Sequence, residues 1–298
     1  MTENESSRDF NLISPTAKSL LLLKGHTNIP FAKEAAELIS LPEKYVPDFS
    51  NTDPEFWKRI VHFESRYWSI NQLMEGLNIT NMMELSSGFS FRGLQTVLQN
   101  ELFYKDTDLP DLISIKKEII SSLLKNTGSP SGNLELLPLN ALDEISFNKI
   151  AESFPPGPLL IINEGLLMYL DDQEKEKLCR IIFKILGQRG GYWITGDIYR
   201  KNAIQSPETK GDDNLNKILI EQRIEEKKFE SFEAAEIFFR KQGFKIDKEA
   251  VSNYTKLSSL KYLVGSTTES ELNEIRSNSK IQVTWRLRVS ETSEPLPG

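Results

Sequence analysis

Cysteine and histidine are scarce in this chain. Its 298 residues include one cysteine, Cys179, and two histidines, His26 and His62. A single cysteine excludes an internal disulfide and a cysteine-based zinc site, and two histidines do not supply a histidine-rich metal centre. We therefore expect no metal ion among the cofactors of this protein.

Long hydrophobic runs and an excess of positive charge are also lacking. No segment approaches about 18 uninterrupted apolar residues, the length that crosses a bilayer, so we expect no membrane span. The net charge of -7 disfavours contact with a phosphate backbone, so nucleic-acid binding is not expected. The N-terminal MTENESSRDF is polar and acidic, unlike a secretory signal. These features together predict a cytoplasmic protein.

The character of the sequence changes after Asn78. Residues 14–76 are predicted to be mostly helical, whereas short apolar runs alternate with helical stretches further on. We divide the chain into an N-terminal helical lid region, residues 1–77, and a core, residues 78–298. A highly charged segment at about 203–229 interrupts the alternation, and we interpret it as a helical insertion.

Seven short apolar runs are predicted to be strands. They are NMMELS, LFYKDTD, LELLPLN, PLLIINEG, GGYWITGDI, FKIDKEA and IQVTWRLRV. Their alternation with helices predicts an α/β fold with a doubly wound, mostly parallel sheet covered on both faces. The last two runs show little clear helix between them, so we expect them to form an antiparallel pair, with the final run as an edge strand.

Polar residues stand where the first two predicted strands end. In a doubly wound sheet a ligand binds beyond the carboxyl ends of the strands. Ser86 and Gly88 follow the first strand and are small enough for a ligand to approach the backbone. Asp108 ends the second strand, where a carboxylate can accept both hydrogen bonds of a ribose diol. Asp106 is the neighbouring alternative, but we expect its side chain to point to the opposite face.

The third and fourth strands end in LNALDE and INEGLLMYL. Asn140 and the amide of Ala141 are placed to bracket an adenine edge, and Glu164 is placed to hold a positively charged ligand. Each feature also has a plain structural interpretation: the Ser/Gly stretch as an ordinary turn, and Asp108 and Glu164 as helix caps. Suitable polar groups at four successive strand ends favour a common ligand site.

Several short motifs resemble those of one enzyme family. They are SPTA at 14–17, SRYW with Arg66, the segment 85–92, the segment 106–110 and EGLLMYL at 164–170. Together they resemble the leucine carboxyl methyltransferases and the related O-methyltransferases of polyketide biosynthesis. That family belongs to the class I, Rossmann-like methyltransferases that use S-adenosyl-L-methionine. The resemblance therefore implies S-adenosyl-L-methionine as the cofactor.

The resemblance also implies roles for individual residues. Arg66 is the counterpart of an arginine that contacts the carboxylate in the methionyl part of the cofactor. Ser86 stands where the family has a glycine, and Asn140-Ala141 stands where it has Asp-Leu, so we expect a reshaped cofactor site. The cofactor contacts expected in this chain are Arg66, Glu84, Ser86, Gly88, Asp108, Asn140, Ala141 and Glu164.

The implied reaction is methyl transfer to a carboxylate or hydroxyl oxygen of a small-molecule or peptide acceptor. A carboxylate acceptor needs no general base, because it is ionised at neutral pH, whereas a hydroxyl acceptor would benefit from one. Tyr169 and Tyr199 are the candidates for lining the acceptor pocket, although either could equally be a core aromatic. The N-terminal helices and the insertion would form a lid that excludes water.

Two other classes of function stay open at this stage. A nicotinamide-dependent oxidoreductase would need three glycines in its opening loop, and Gly88 with Gly93 does not supply them. A non-catalytic protein that retained the fold could bind a partner's tail in the lid groove. The sequence names neither the methyl acceptor nor the oligomeric state.

Overall fold

The computed structural model describes residues 14–201, 220–277 and 280–291. Its first elements are three helices, in the region predicted to be helical: α1 (Ser14–Lys24), α2 (Ala32–Ile39) and α3 (Pro54–Met74). The side chain of Asp53 caps α3 by accepting a hydrogen bond from the Glu55 amide at 3.0 Å. Across the described parts of the chain, no helix is both long enough and apolar enough to cross a membrane.

Seven strands form a single sheet in the order β3-β2-β1-β4-β5-β7-β6. Strands β1 to β5 are parallel, and β7 runs antiparallel to both of its neighbours. This arrangement confirms the doubly wound, mostly parallel, seven-stranded sheet predicted from the sequence. The strands are β1 (Asn81–Leu85), β2 (Phe103–Asp108), β3 (Asn133–Pro138), β4 (Leu159–Asn163), β5 (Gly191–Tyr199), β6 (Phe244–Glu249) and β7 (Gln282–Val289).

Further helices connect the strands and cover the sheet. They are α4 (Arg92–Gln99), α5 (Pro110–Leu124), α6 (Glu144–Glu152), α7 (Asp172–Arg189), α8 (Ile224–Lys227), α9 (Phe232–Lys241), α10 (Leu260–Ser266) and α11 (Glu269–Ser277). The short α8 falls within the expected insertion at about 203–229. Residues 203–219 of that insertion lie outside the described part of the chain.

Two expectations about the C-terminal region were wrong. Helices α10 and α11 lie between the last two strands, where little helix was expected, and β7 is an inner strand because β6 occupies the edge. The charged residues of β7 are typical of an edge strand, which explains the prediction. Arg286 is nevertheless satisfied inside the sheet, since its Nε donates to Asp247 of β6 at 2.6 Å and its Nη1 donates to the Leu73 carbonyl at 3.0 Å.

The central strands are buried on both faces, which explains their nearly continuous apolar sequences. Met83 and Ile161 face the cluster that includes residues of α6 and α7. Met82 and Leu160 face a second cluster, which includes residues of α3 and α4. Because alternate strand residues point to opposite faces, the apolar layers hold the strand ends, and the polar groups that follow them, in fixed positions.

Gly191, the first residue of β5, provides a test of the β4–β5 register. Its φ is +110°, and a Cβ at this position would collide with the backbone of Leu159. We expect Gly191→Ala to lower the free energy of unfolding by about 3 kcal/mol or more, measured by urea denaturation. Gly187 of α7 is the matched control, because nothing lies within 4 Å of an added Cβ.

Gly187→Ala should instead stabilise the protein by about 0.5–1 kcal/mol, since alanine restricts the unfolded chain and favours the helix. Equal stability of the Gly191→Ala variant and the unsubstituted protein would contradict the observed pairing of these two strands.

Candidate functional site

A cavity opens beyond the carboxyl ends of β1, β2, β3 and β4, and helices α1 and α3 line its other side. This is the position at which doubly wound sheets bind their ligands. The structure brings together eight of the ten predicted site residues there: Arg66, Ser86, Gly88, Asp108, Asn140, Ala141, Glu164 and Tyr169. Within the described residues, no three His, Cys, Asp or Glu side chains form a group that could hold a metal ion.

The turn after β1 lines the cavity with its backbone. Ser86 has φ +48° and Gly88 has φ +50°, so both adopt the left-handed conformation that favours glycine. The Gly88 amide donates a hydrogen bond to Asp108 Oδ2 at 2.7 Å. Gly93 has a different role, because a Cβ there would lie 2.7 Å from the Tyr104 ring. The first glycine therefore shapes the cavity, and the second allows α4 to pack closely on the sheet.

Asp108 lies at the end of β2 and is 8% exposed. Its carboxylate accepts hydrogen bonds from the amides of Gly88 and Leu109, both at 2.7 Å. Burial raises its pKa, although these amides and Lys116 oppose the shift. Each carboxylate oxygen has more than one lone pair, so Asp108 can also accept the hydroxyls of a ligand.

We expected the side chain of Asp106 to point to the face of β2 opposite to that of Asp108, and this expectation was wrong. Residues two apart in a strand share a face, so Asp106 and Asp108 lie on the same side. Asp106 is fully buried and forms an ion pair with Lys116 Nζ at 2.9 Å, and burial raises its pKa to about 6. Lys116 also donates to Ser87 Oγ at 2.9 Å. The ion pair of Asp106 and Lys116 therefore holds the turn after β1 in place, and neither residue lines the cavity.

Glu164 follows β4 and is surrounded by three cations. Lys24 Nζ lies 2.7 Å from Oε1, Arg66 Nη2 lies 3.3 Å from the same oxygen, and Arg92 Nη2 lies 2.8 Å from Oε2. Arg92 Nη1 also contacts Glu84. Burial would raise the pKa of Glu164, but the three cations outweigh burial and hold that pKa well below its usual range.

The charged side chains at this end of the cavity form an ion cluster. The three cations contact two carboxylates, Glu164 and Glu84. The buried carboxylate of Asp197 also acts on Arg66, so the opposite charges are matched in number. Because Lys24, Arg66 and Glu164 line the cavity, this end of the cavity presents both cations and a carboxylate to a ligand.

Glu84 and Tyr199 are the two predicted site residues that do not line the cavity. Glu84 is fully buried on the face of β1 covered by α4, and it accepts a hydrogen bond from Tyr104 Oη at 2.7 Å as well as the contact from Arg92. Tyr199 lies behind Arg66, which donates to its hydroxyl oxygen at 3.0 Å. Both residues therefore contact the arginines of the site.

The third and fourth strand ends complete the wall. Asn140 Oδ1 accepts a hydrogen bond from the Leu142 amide at 3.0 Å, which fixes the turn that presents Ala141. Tyr169 lies in a short 3-10 helix, Leu167–Tyr169, and its hydroxyl is 3.4 Å from Thr16 Oγ1 of α1. Burial raises the pKa of Tyr169, so its phenol stays protonated at neutral pH.

Sequence reasoning missed three residues of this site: Lys24, Arg92 and Asp197. Asp197 accepts hydrogen bonds from the amides of Gly165, Leu166 and Leu167 at 2.6–3.1 Å, and so it shapes the turn that presents Glu164. Arg92 carried a signal, because it matches the family-like motif at 85–92. Lys24 and Asp197 carried none, since a lysine at a helix end and an aspartate in a strand are individually unremarkable.

Compared by sequence, the chain matches no protein family and no curated protein. Its structure is similar to that of magnesium protoporphyrin IX methyltransferase (ChlM) from Synechocystis PCC 6803, with 7% identity over 88% of this chain and 96% of that one, and a TM-score of 0.48. It is also similar to the mitomycin 7-O-methyltransferase MmcR, with 12% identity over 79% of this chain and a TM-score of 0.42.

A third similar structure is an O-methyltransferase family protein from Burkholderia thailandensis, with 13% identity over 81% of this chain and a TM-score of 0.46. The match spans only 57% of MmcR and 60% of the Burkholderia protein. Similarity at this level does not identify the activity of this chain, which has to be inferred from its own residues.

Removal of the charge of Glu164 tests the ion cluster. Glu164→Gln removes the carboxylate that all three buried cations contact, so we expect the free energy of unfolding to fall by about 3–5 kcal/mol in urea denaturation. Glu144→Gln is the control, because Glu144 forms an exposed ion pair with Lys184, and its loss should change stability by less than about 1 kcal/mol. Similar stabilities of the two variants would show that the cluster does not hold the fold together.

Proposed function

We propose that this protein is an O-methyltransferase that uses S-adenosyl-L-methionine. The observation that carries the proposal is the order of polar groups along the sheet. Asn140 and Ala141 follow β3, Asp108 ends β2, the Gly88 turn follows β1 and Glu164 follows β4, and these strands are neighbours in that order. The cofactor has its adenine, ribose and methionyl parts in the same sequence.

The dimensions of the sheet agree with this placement. Strands β2 and β4 flank β1, so Asp108 and Glu164 lie about 10 Å apart by the usual strand spacing. A carboxylate at Asp108 suits a ribose diol, as in other doubly wound nucleotide sites. The proposed contacts to the ribose and to the methionyl group are therefore roughly as far apart as those two parts of the cofactor.

Charge supports the methionyl assignment. The methionyl group carries one carboxylate and one ammonium, and the ion cluster offers partners for both. We place the carboxylate on Arg66, whose guanidinium can donate hydrogen bonds to it, and the ammonium on Glu164, which the neighbouring cations keep ionised. Neither assignment requires a residue outside the cavity lining.

The acceptor would occupy the rest of the cavity. Leu20, Phe63 and Met168 give this part apolar walls, and Tyr169 and Thr16 add hydroxyl groups. Such a lining favours a small, largely apolar molecule that presents an oxygen near Tyr169. Within the described lining residues there is no histidine, so a carboxylate acceptor, which needs no general base, is the preferred choice.

Methyl transfer then depends on alignment. When bound, the cofactor would supply an electrophilic methyl group, and the residues of the cavity wall would position the acceptor oxygen next to it. Positioning of this kind contributes about 7–11 kcal/mol. Helix α1 provides Thr16, Leu20 and Lys24 to the wall, so we assign it the role of a lid that must move for entry and closes to exclude water.

The motifs that resemble the leucine carboxyl methyltransferases support a place within or near that group. The segment SPTA contributes Thr16 and Ala17 to the cavity, and EGLLMYL contributes residues from Glu164 to Leu170. Among the acceptors of such enzymes, the apolar walls favour a small molecule over a peptide. We propose the polyketide-type acceptor on this ground.

Titration calorimetry with S-adenosylmethionine, S-adenosylhomocysteine and NAD tests the proposal. We expect the two adenosyl ligands to bind and NAD not to bind. Binding of NAD alone would favour an oxidoreductase, and binding of no ligand would favour a non-catalytic protein. Transfer of a labelled methyl group to candidate carboxylic acids, followed by mass spectrometry, then tests the reaction.

Asp108→Asn tests the ribose contact. The substitution removes the charge that accepts the ribose hydroxyls, so we expect the binding free energy of S-adenosylhomocysteine to weaken by about 1–3 kcal/mol in calorimetry. Asp53→Asn is the control, because Asp53 caps α3 on the exposed side and does not line the cavity. Unchanged affinity in Asp108→Asn would remove this residue from the site.

A further inference from the structure

Three hydrogen bonds to two residues hold the guanidinium of Arg66. Its Nε and Nη2 each lie 3.3 Å from Glu164 Oε1, and its Nη1 donates to Tyr199 Oη at 3.0 Å. The contact with Tyr199 is the shortest of the three. Arg66 and Tyr199 are 2% and 1% exposed, so water cannot readily replace either partner.

His62 completes this arrangement from the same helix as Arg66. Its Nε2 lies 2.7 Å from Tyr199 Oη, and it precedes Arg66 by one helical turn on α3. The tyrosine oxygen accepts a hydrogen bond from Arg66, so its own hydroxyl proton needs a separate acceptor. Nε2 of His62 can be that acceptor when the ring proton is on Nδ1. The hydrogen bond made by one ring nitrogen commonly determines which nitrogen carries the proton.

The aromatic ring of Tyr199 is fixed independently of its hydroxyl. It packs with Met168 and Ile224, and Lys228 Nζ lies 5.4 Å above its centroid. A change from tyrosine to phenylalanine therefore keeps the packing and the cation–π contact. It removes only the oxygen between Arg66 and His62.

We propose that Tyr199, oriented by His62, is the positioning residue that aims Arg66 at the carboxylate of the cofactor. This inference rests on the proposed function. A cofactor ammonium on Glu164 would compete with Arg66 for the same carboxylate, whereas the bond to Tyr199 would remain. The tyrosine thereby sets the preference of the site for an adenosylated amino acid over a nucleoside that lacks the amino-acid part.

Two ligands separate this role from a general structural one. S-adenosylhomocysteine carries the carboxylate, and 5′-methylthioadenosine has the same nucleoside with a thioether but no carboxylate. In Tyr199→Phe we expect affinity for S-adenosylhomocysteine to fall about tenfold, the effect of one charge-assisted hydrogen bond. Affinity for 5′-methylthioadenosine should be unchanged, so the ratio of the two dissociation constants reports on Arg66.

Tyr192→Phe is the matched control, because it makes the same chemical change on the same strand outside the cavity lining. It should leave both affinities unchanged. A second pair of variants probes the other side of the hydroxyl. His62→Leu removes the acceptor and should reproduce the selective loss, whereas His62→Gln offers an amide oxygen and should retain at least part of the affinity.

The outcomes distinguish the two proposals. If the unsubstituted protein binds neither ligand, the proposed function is wrong and the role of Tyr199 falls with it. If it binds both, and Tyr199→Phe weakens them equally or not at all, the role of Tyr199 is wrong while the proposed function stands. If Tyr199→Phe does not fold, the comparison of His62→Leu with His62→Gln decides the same question, and equal affinities in that pair overturn the proposal.

Discussion

The buried carboxylate of Glu164, held among Lys24, Arg66 and Arg92, is the interaction on which the rest of the structure depends. None of these charges would be stable there alone, because removal from water costs several kcal/mol per ion. Together they join α1, α3 and α4 to the end of β4. The cations hold the pKa of Glu164 well below its usual range, so this carboxylate stays ionised at physiological pH.

The same interaction links stability to binding. The groups that join the N-terminal helices to the sheet also line the cavity, so a ligand with its own carboxylate and ammonium would exchange partners with them.

A layer of polar groups behind the cavity holds the lining residues in place. Asp197 accepts hydrogen bonds from three consecutive amides just after Glu164. Lys116 donates a hydrogen bond to Ser87, and Tyr199 accepts one from Arg66. Each of these residues is buried, where a hydrogen bond is poorly replaced by water and its geometry is therefore restrictive. The site owes its shape to these groups as much as to the residues that would contact a ligand.

Local periodicity and the burial of parallel strands on both faces were enough to predict the strands, their alternation with helices and the polar residues at the strand ends. The prediction placed β7 at the edge of the sheet, which β6 occupies. Glu84, predicted as a cofactor contact, and Tyr199, predicted to line the acceptor pocket, are not among the residues that line the cavity. The ion pairs of the site could not be predicted in this way. Lys24 and Glu164 are 140 residues apart in the chain, and no local pattern specifies a contact between side chains that only the packing of helices on the sheet brings together.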